Sequence, residues 1–153
     1  MDEFENKINE LGMELPKAPA AAGNYLPFRF NGNTLILAGV LASLDGEMTH
    51  TGKVGEMQTL LTGHEAAKVC ALNAIASMRA ALGVLDRVDQ ILLVSGYVNA
   101  VTGFTNSPGV INGASDLFVE VFGEAGKHAR SAVSVSGLPR DSTVEIQVTL
   151  SFK

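Results

Sequence analysis

The chain has 153 residues, 46% hydrophobic and 18% charged, enough to close one hydrophobic core as a single domain spanning 1–153 and too apolar for a disordered segment. Its 11 Lys and Arg against 16 Asp and Glu give a net charge of −5, and the basic residues are scattered from Lys7 to Lys153 without a stripe, which argues against a nucleic-acid partner. No apolar run reaches the roughly 18–20 residues of a membrane span, and the acidic start Asp2-Glu3-Phe4-Glu5 lacks the pattern of a signal peptide, so the expected location is the cytoplasm.

In chain order, Phe4, Ile8 and Leu11 recur at helical spacing and predict an amphipathic helix over 2–12, with Asp2 as cap in a D-x-x-E pattern with Glu5. Pro16 and the tract Ala18-Pro19-Ala20-Ala21-Ala22-Gly23 break it into a connector. Tyr25–Phe30 and Thr34–Val40 read as strands around an Asn31-Gly32-Asn33 turn. The polar stretch Ser43–Lys53 reads as a loop. Thr62-x-x-Glu65 predicts a capping box opening a long Ala-rich helix, Gly63–Leu82, closed by Gly83. A strand follows over Gln90–Val98, then a second helix near Ala114–Glu124, with Asn112 as its simplest cap. Two last strands, Ser131–Ser136 and Thr143–Phe152, flank the turn Gly137–Asp141. The order α, β, β, α, β, α, β, β predicts an α+β domain with two helices on one sheet face and an added N-terminal helix.

The final strand alternates strictly: Val144, Ile146, Val148, Leu150 and Phe152 on one face, and Thr143, Glu145, Gln147, Thr149 and Ser151 on the other. If the two last strands form a hairpin with Ser136 opposite Thr143, Arg130 and Glu145 share the polar face, away from the helices. Mean hydropathy of +0.22 is high for a chain this short and points to a subunit interface. Cys70 is the single cysteine, so no intrachain disulfide is expected, and a packed thiol is the simplest reading of it. His50, His64 and His128 have no ligand-like spacing, so neither metal nor cofactor is expected. Asn73, in mid-helix, reads as a structural hydrogen-bonding residue.

The run His128-Ala129-Arg130-Ser131-Ala132-Val133, followed by Leu138-Pro139-Arg140-Asp141 and Val144-Glu145-Ile146, resembles the terminal signature of the RidA/YjgF family, whose members are also called endoribonuclease L-PSP proteins. Ala22-Gly23-Asn24-Tyr25, Asn33-Thr34-Leu35-Ile36-Leu37-Ala38-Gly39, Asn73, Leu82-Gly83 and Phe104 with Asn112 are similar to its other segments, in the same order. The resemblance covers roughly residues 20–150. It implies a chorismate-mutase-like fold, a homotrimer with ligand clefts between subunits, and hydrolysis of reactive 2-imino acids (enamine/imine tautomers) to 2-keto acids and ammonia. By the same resemblance Arg130 binds the substrate carboxylate, Glu145 positions the attacking water, and Tyr25, Asn112 and Gly39 line the cleft. The chemistry suits these residues: a planar guanidinium grips a carboxylate with two prongs, and an imine is electrophilic without a metal. Ala132 and Ala38 stand where deaminating members carry Cys and Ser, which marks a divergent branch. A non-catalytic protein binding small 2-keto or related carboxylic acids is the alternative reading, and an endoribonuclease, without basic clustering, the third.

Overall fold

The computed structural model describes residues 2–153. Its elements are α1 (Glu3–Glu10), β1 (Phe28–Asn31), β2 (Thr34–Leu37), β3 (Val40–Leu41), β4 (Ser43–Leu44), β5 (Glu47–Met48), α2 (Leu60–Leu82), β6 (Val88–Asn99), α3 (Ser107–Phe122), β7 (Ala129–Val135) and β8 (Val144–Phe152). The main sheet runs β1-β2-β8-β6-β7, with β3 also on β8, and β4–β5 form a separate small hairpin. Helices α2 and α3 cover one face, so the expected α+β class, with two helices on one side and a further N-terminal helix, is what the chain adopts. No helix among the described residues is long and apolar enough to cross a membrane.

The local starts of the elements differ from the sequence reading in instructive ways. Helix α2 begins one turn early. Thr59 is its cap: Thr62 N donates to Thr59 Oγ1 and Thr59 N to Thr62 Oγ1, a reciprocal box made by two threonines rather than by Thr62 and Glu65. Gly83, at φ +85°, ends the helix as expected. Helix α3 begins at Ser107, since the Asn106 side chain accepts from Gly109 N and Pro108 occupies the first turn, where its missing N–H costs nothing. Asn112 therefore lies inside α3 and caps nothing. Residues 43–48, read as loop, pair as the β4–β5 hairpin. At the N-terminus Asp2 caps α1 by accepting from Glu5 N, while the Glu5 carboxylate turns to Arg79 at 2.8 Å. Asp86 accepts from Glu3 N and Phe4 N, and the Phe4 ring meets Phe122 edge-on at 4.8 Å, so α1 is docked at both ends of its first turn.

The largest correction concerns the last two strands. They do not form a hairpin. β6, α3 and β7 make a parallel crossover unit, which lays β7 on one side of β6, and β8 inserts antiparallel on the other side, between β6 and β2. Val94 pairs with Arg130 across one ladder and with Val148 across the other. Paired residues share a face, so Arg130 points to the helix side with Val148. Tyr97 pairs with Val133 and Glu145, which places Glu145 on the open side. Arg130 and Glu145 thus lie on opposite faces, two strands apart. The alternation expected for the last strand holds from Val144 to Leu150, with Val144, Ile146, Val148 and Leu150 buried, and fails at its ends, where Thr143 and Ser151 are buried and Phe152 is only half-buried.

The open face is not wholly polar. Ile36, Leu93 and Val133, 40%, 41% and 47% exposed, lie there beside Tyr97, because Ile36 and Leu93 pair with Thr149 on either side of β8. On the covered face the helices approach closely. Gly113 of α3 sits so near α2 that a Cβ would run into the backbone carbonyl of His64, which cannot swing aside as a side chain could. Gly113→Ala is expected to destabilise the fold by about 3 kcal/mol through overpacking at the α2–α3 crossing. Urea unfolding checks this; a midpoint equal to that of the unsubstituted chain would contradict it.

Candidate functional site

The structure gathers the sequence-predicted residues into two groups rather than one. The first is built where the start of β7 meets α3. The Arg130 guanidinium donates through Nη1 to Asn112 Oδ1 at 2.7 Å and to Ser115 Oγ at 3.1 Å. Asn112 and Ser115 are three residues apart on α3 and so share one helix face. Arg130 forms no ion pair with any described carboxylate, and its Nε and Nη2 have no partner among the described residues. A half-buried guanidinium keeping one edge unused is a ready two-pronged donor for an incoming carboxylate.

Ser115 and His128 were not singled out by the sequence for this role, and together they complete the setting of Arg130. Ser115 Oγ lies 2.9 Å from His128 Nε2, and His128 Nδ1 lies 2.6 Å from Gly126 O. A carbonyl can only accept, so Nδ1 carries the ring proton and Nε2 is the bare nitrogen. Ser115 therefore donates to Nε2 while accepting from Arg130, and the chain of donors runs from Arg130 through Ser115 to His128 and on to Gly126. Burial lowers the His128 pKa most; the Gly126 carbonyl works against that, and the Arg130 charge adds to the lowering. The signal available in the sequence was the spacing of Asn112 and Ser115; His128, two residues before Arg130 in the strand direction, looked like an isolated histidine.

The second group lies at the β3 edge of the sheet, with Glu145 on the open side. β2 and β3 both pair with β8, but Ile36 faces Thr149 while Val40 faces Ile146, so four steps on one strand span three on the other. That bulge at Ala38-Gly39 turns the Gly39 Cα toward Glu145, and a Cβ there would fall on the Glu145 Oε2. Glu145 is half-buried and makes no hydrogen bond to a described side chain; burial raises its pKa. Tyr25 is not in β1, which begins at Phe28 after Pro27; it sits in a bend, 51% exposed, its hydroxyl accepting from Ala22 N at 3.0 Å. Tyr25 and Gly39 line a cavity of about 600 Å³ on this edge of the sheet.

Cys70 is buried beneath β8 and donates to Val144 O at 3.4 Å. Burial, with the Glu145 charge nearby, pushes its thiol well up, so it is held as the unreactive thiol. Asn73, expected to be structural, donates to Leu41 O and Ser43 O. Ala132 follows Arg130 on the helix-side face of β7, where Gly96 is its ladder partner.

Nitrogen-15 NMR is expected to find His128 neutral at pH 7 in the Nδ1–H form, titrating below the ordinary histidine range, since burial disfavours the charged ring and protonation at Nε2 also brings a second positive charge up to Arg130. A carboxylate bound at Arg130 should move that titration upward. A His128 that titrates above the ordinary range without ligand would contradict the hydrogen-bond chain.

Comparison with known proteins gives a consistent result. A family profile described as "YjgF/chorismate_mutase-like, putative endoribonuclease" matches residues 5–150. The chain is 42% identical over 146 residues to protein TCP17 of Trypanosoma cruzi, covering 95% of this chain and 91% of the relative. Two solved structures superpose closely. One is the protein Atu1372 of Agrobacterium tumefaciens, of unknown function, at 38% identity and TM-score 0.92, covering 98% of this chain and 92% of that one. The other is described as a putative endoribonuclease from Shewanella oneidensis, at 33% identity and TM-score 0.95, covering 99% and 100%. With its mixed sheet, its two covering helices and its added N-terminal helix, the chain belongs to the YjgF/RidA/L-PSP endoribonuclease-like family, in a divergent branch.

Proposed function

We propose that the protein hydrolyses small reactive 2-imino acids to 2-keto acids and ammonia, in clefts formed between copies of the chain in a homotrimer, in the cytoplasm and without metal or cofactor. The observation that carries the reading is the Arg130 guanidinium, fixed on its inner edge by Asn112 and Ser115 with its outer edge unpaired. Within one chain Arg130 and Glu145 are separated by two strand spacings across the sheet and three residues along it, about 10 Å in each direction, and by the thickness of the sheet itself. A single copy therefore cannot set both on one small substrate. A second copy packed on the apolar open face, where Ile36, Leu93 and Val133 are exposed, would supply the missing half and cover that apolar surface.

In such a cleft Arg130 clasps the substrate carboxylate and so fixes the imine carbon. Glu145, whose raised pKa makes it a better base than an ordinary surface carboxylate, takes a proton from water as the oxygen bonds to that carbon. Glu145 returns that proton to nitrogen to give the carbinolamine; the hydroxyl proton then passes by way of Glu145 to the nitrogen as the carbon–oxygen double bond forms and the carbon–nitrogen bond breaks, so that ammonia leaves with the 2-keto acid behind. Gly39 keeps room for the Glu145 carboxylate in this position. Tyr25 lines the adjoining cavity together with Gly39.

Substituting Arg130→Lys keeps the charge but loses the fork, and is expected to weaken keto-acid binding about 10- to 150-fold. Glu145→Gln should lower turnover of enzymatically generated 2-iminobutyrate by about 10²–10⁴-fold and leave 2-oxobutyrate binding nearly unchanged. The ionised base is the working form, so kcat/KM should fall as pH drops through the Glu145 pKa, with that acid limb above the ordinary carboxylate range and absent in Glu145→Gln. A protein that binds 2-oxobutyrate through Arg130 yet never speeds imine decay would instead be a carrier or sensor of small keto acids.

A further inference from the structure

The turn Leu138-Pro139-Arg140-Asp141 has no part in the chemistry above, yet it presents a charged side chain to a built cavity. Arg140 is held in left-handed backbone at φ +55°, a conformation that residues other than glycine seldom adopt. Its Nη2 donates to Gly46 O at 2.9 Å, which ties the guanidinium to the tip of the β4–β5 hairpin. The adjoining residue of that tip, Asp45, is left-handed too, at φ +51°. Arg140, Asp45 and Lys17 all line the cavity of about 600 Å³, and among the described residues none of the three forms an ion pair.

The inner end of the cavity is polar as well. Asn73 is 1% exposed. Its Nδ2 donates to Leu41 O at 3.1 Å and Ser43 O at 2.6 Å, so the amide cannot flip and its Oδ1 points away from both carbonyls. No described residue donates to that Oδ1, and it is not sealed off from solvent, so it is a fixed acceptor open to the cavity. Pro19, Val40 and Leu41 add an apolar wall. The volume falls within the roughly 300–1,000 Å³ of small-molecule sites.

We propose that this cavity binds a small zwitterion, an apolar α-amino acid or short peptide, with its carboxylate on Arg140 and Lys17, its protonated amine between Asp45 and Asn73 Oδ1, and its side chain on the apolar wall. A plain anion would set a like charge against Asp45 and leave the Asn73 acceptor without a donor. A plain cation would face Arg140 and Lys17. Only a ligand with both charges satisfies the three side chains and the buried oxygen together. The site shares the wall of Tyr25 and Gly39 with the proposed cleft, but its charged groups are distinct from Arg130 and Glu145.

The test is an NMR titration of the full chain with L-leucine, L-phenylalanine and the dipeptide Leu-Gly, each amino acid paired with the 2-keto acid that lacks its amine. At least one of the three is expected to shift the amides of Gly46, Asn73 and Arg140, and its keto acid to bind there about tenfold or more weakly. Arg140→Gln should cut that affinity about tenfold or more, and Asp45→Asn, which tolerates the left-handed backbone, should erase the preference for the amine. Arg130→Lys should change none of this, so the outcome is independent of the imine-hydrolysis reading. Absence of shifts at these three residues with all three ligands, or equal binding by wild type, Arg140→Gln and Asp45→Asn, would overturn the proposal.

Discussion

Strand β6 pairs on both sides, and what each of its residues does follows from that double pairing. Val94 holds Arg130 on one side and Val148 on the other; Tyr97 holds Val133 and Glu145. Because paired residues share a face and successive residues alternate, these two ladders decide which side of the sheet every functional group occupies. The covered face takes Val94, Val98, Val144, Ile146 and Val148 into the core beneath α2 and α3. Arg130 is accommodated on that same face because β7 is the outermost strand, where the surface of α3 offers Asn112 and Ser115 in place of apolar contacts. The open face receives Glu145 together with an apolar row, Ile36, Leu93 and Val133, that stays exposed among the described residues.

The polar groups are set by their neighbours' bonding rules as much as by their position. Burial favours the neutral His128 ring, and because Arg130 can only donate and Gly126 O can only accept, that neutral ring carries its proton on Nδ1 and takes the Ser115 proton at Nε2. Glu145 has no such partner. Its surroundings act by taking water away, which raises its pKa and suits a group that must take up and return a proton. Two ionisable groups of one proposed reaction are thus prepared differently, one by bonds on its inner edge and one by partial burial.

Much of this was legible in the residues. The alternation in 144–150, the N-terminal cap at Asp2, the Gly83 stop and the α+β order are local patterns, and local physics decides them. The face of Arg130 was not legible, because it depends on β6 lying between two strands that are neighbours in sequence, a non-local fact that a short connecting turn conceals. The start of α3 was hidden for a different reason: Ser107-Pro108-Gly109 has the composition of a loop, yet proline and a preceding asparagine are also what a helix start accepts. At α2 the box expected from Thr62 and Glu65 is replaced by one a turn earlier, because Thr62 serves Thr59 N as the acceptor in the place where a glutamate is expected. The chain sorts the residues named for the site into two halves, and Ser115 and His128 join Arg130 only through the packing of β7 against α3.

That division into halves is tested most directly by mixing subunits. Arg130→Ala and Glu145→Gln chains, each inactive alone, would be unfolded together, refolded and assayed for imine hydrolysis. If a cleft draws Arg130 from one copy and Glu145 from another, each mixed trimer regains about one intact cleft in three, and activity returns to a matching fraction of wild type. If both groups serve a cleft within the same copy, the mixture stays as inactive as its parents, and the two-copy site is wrong.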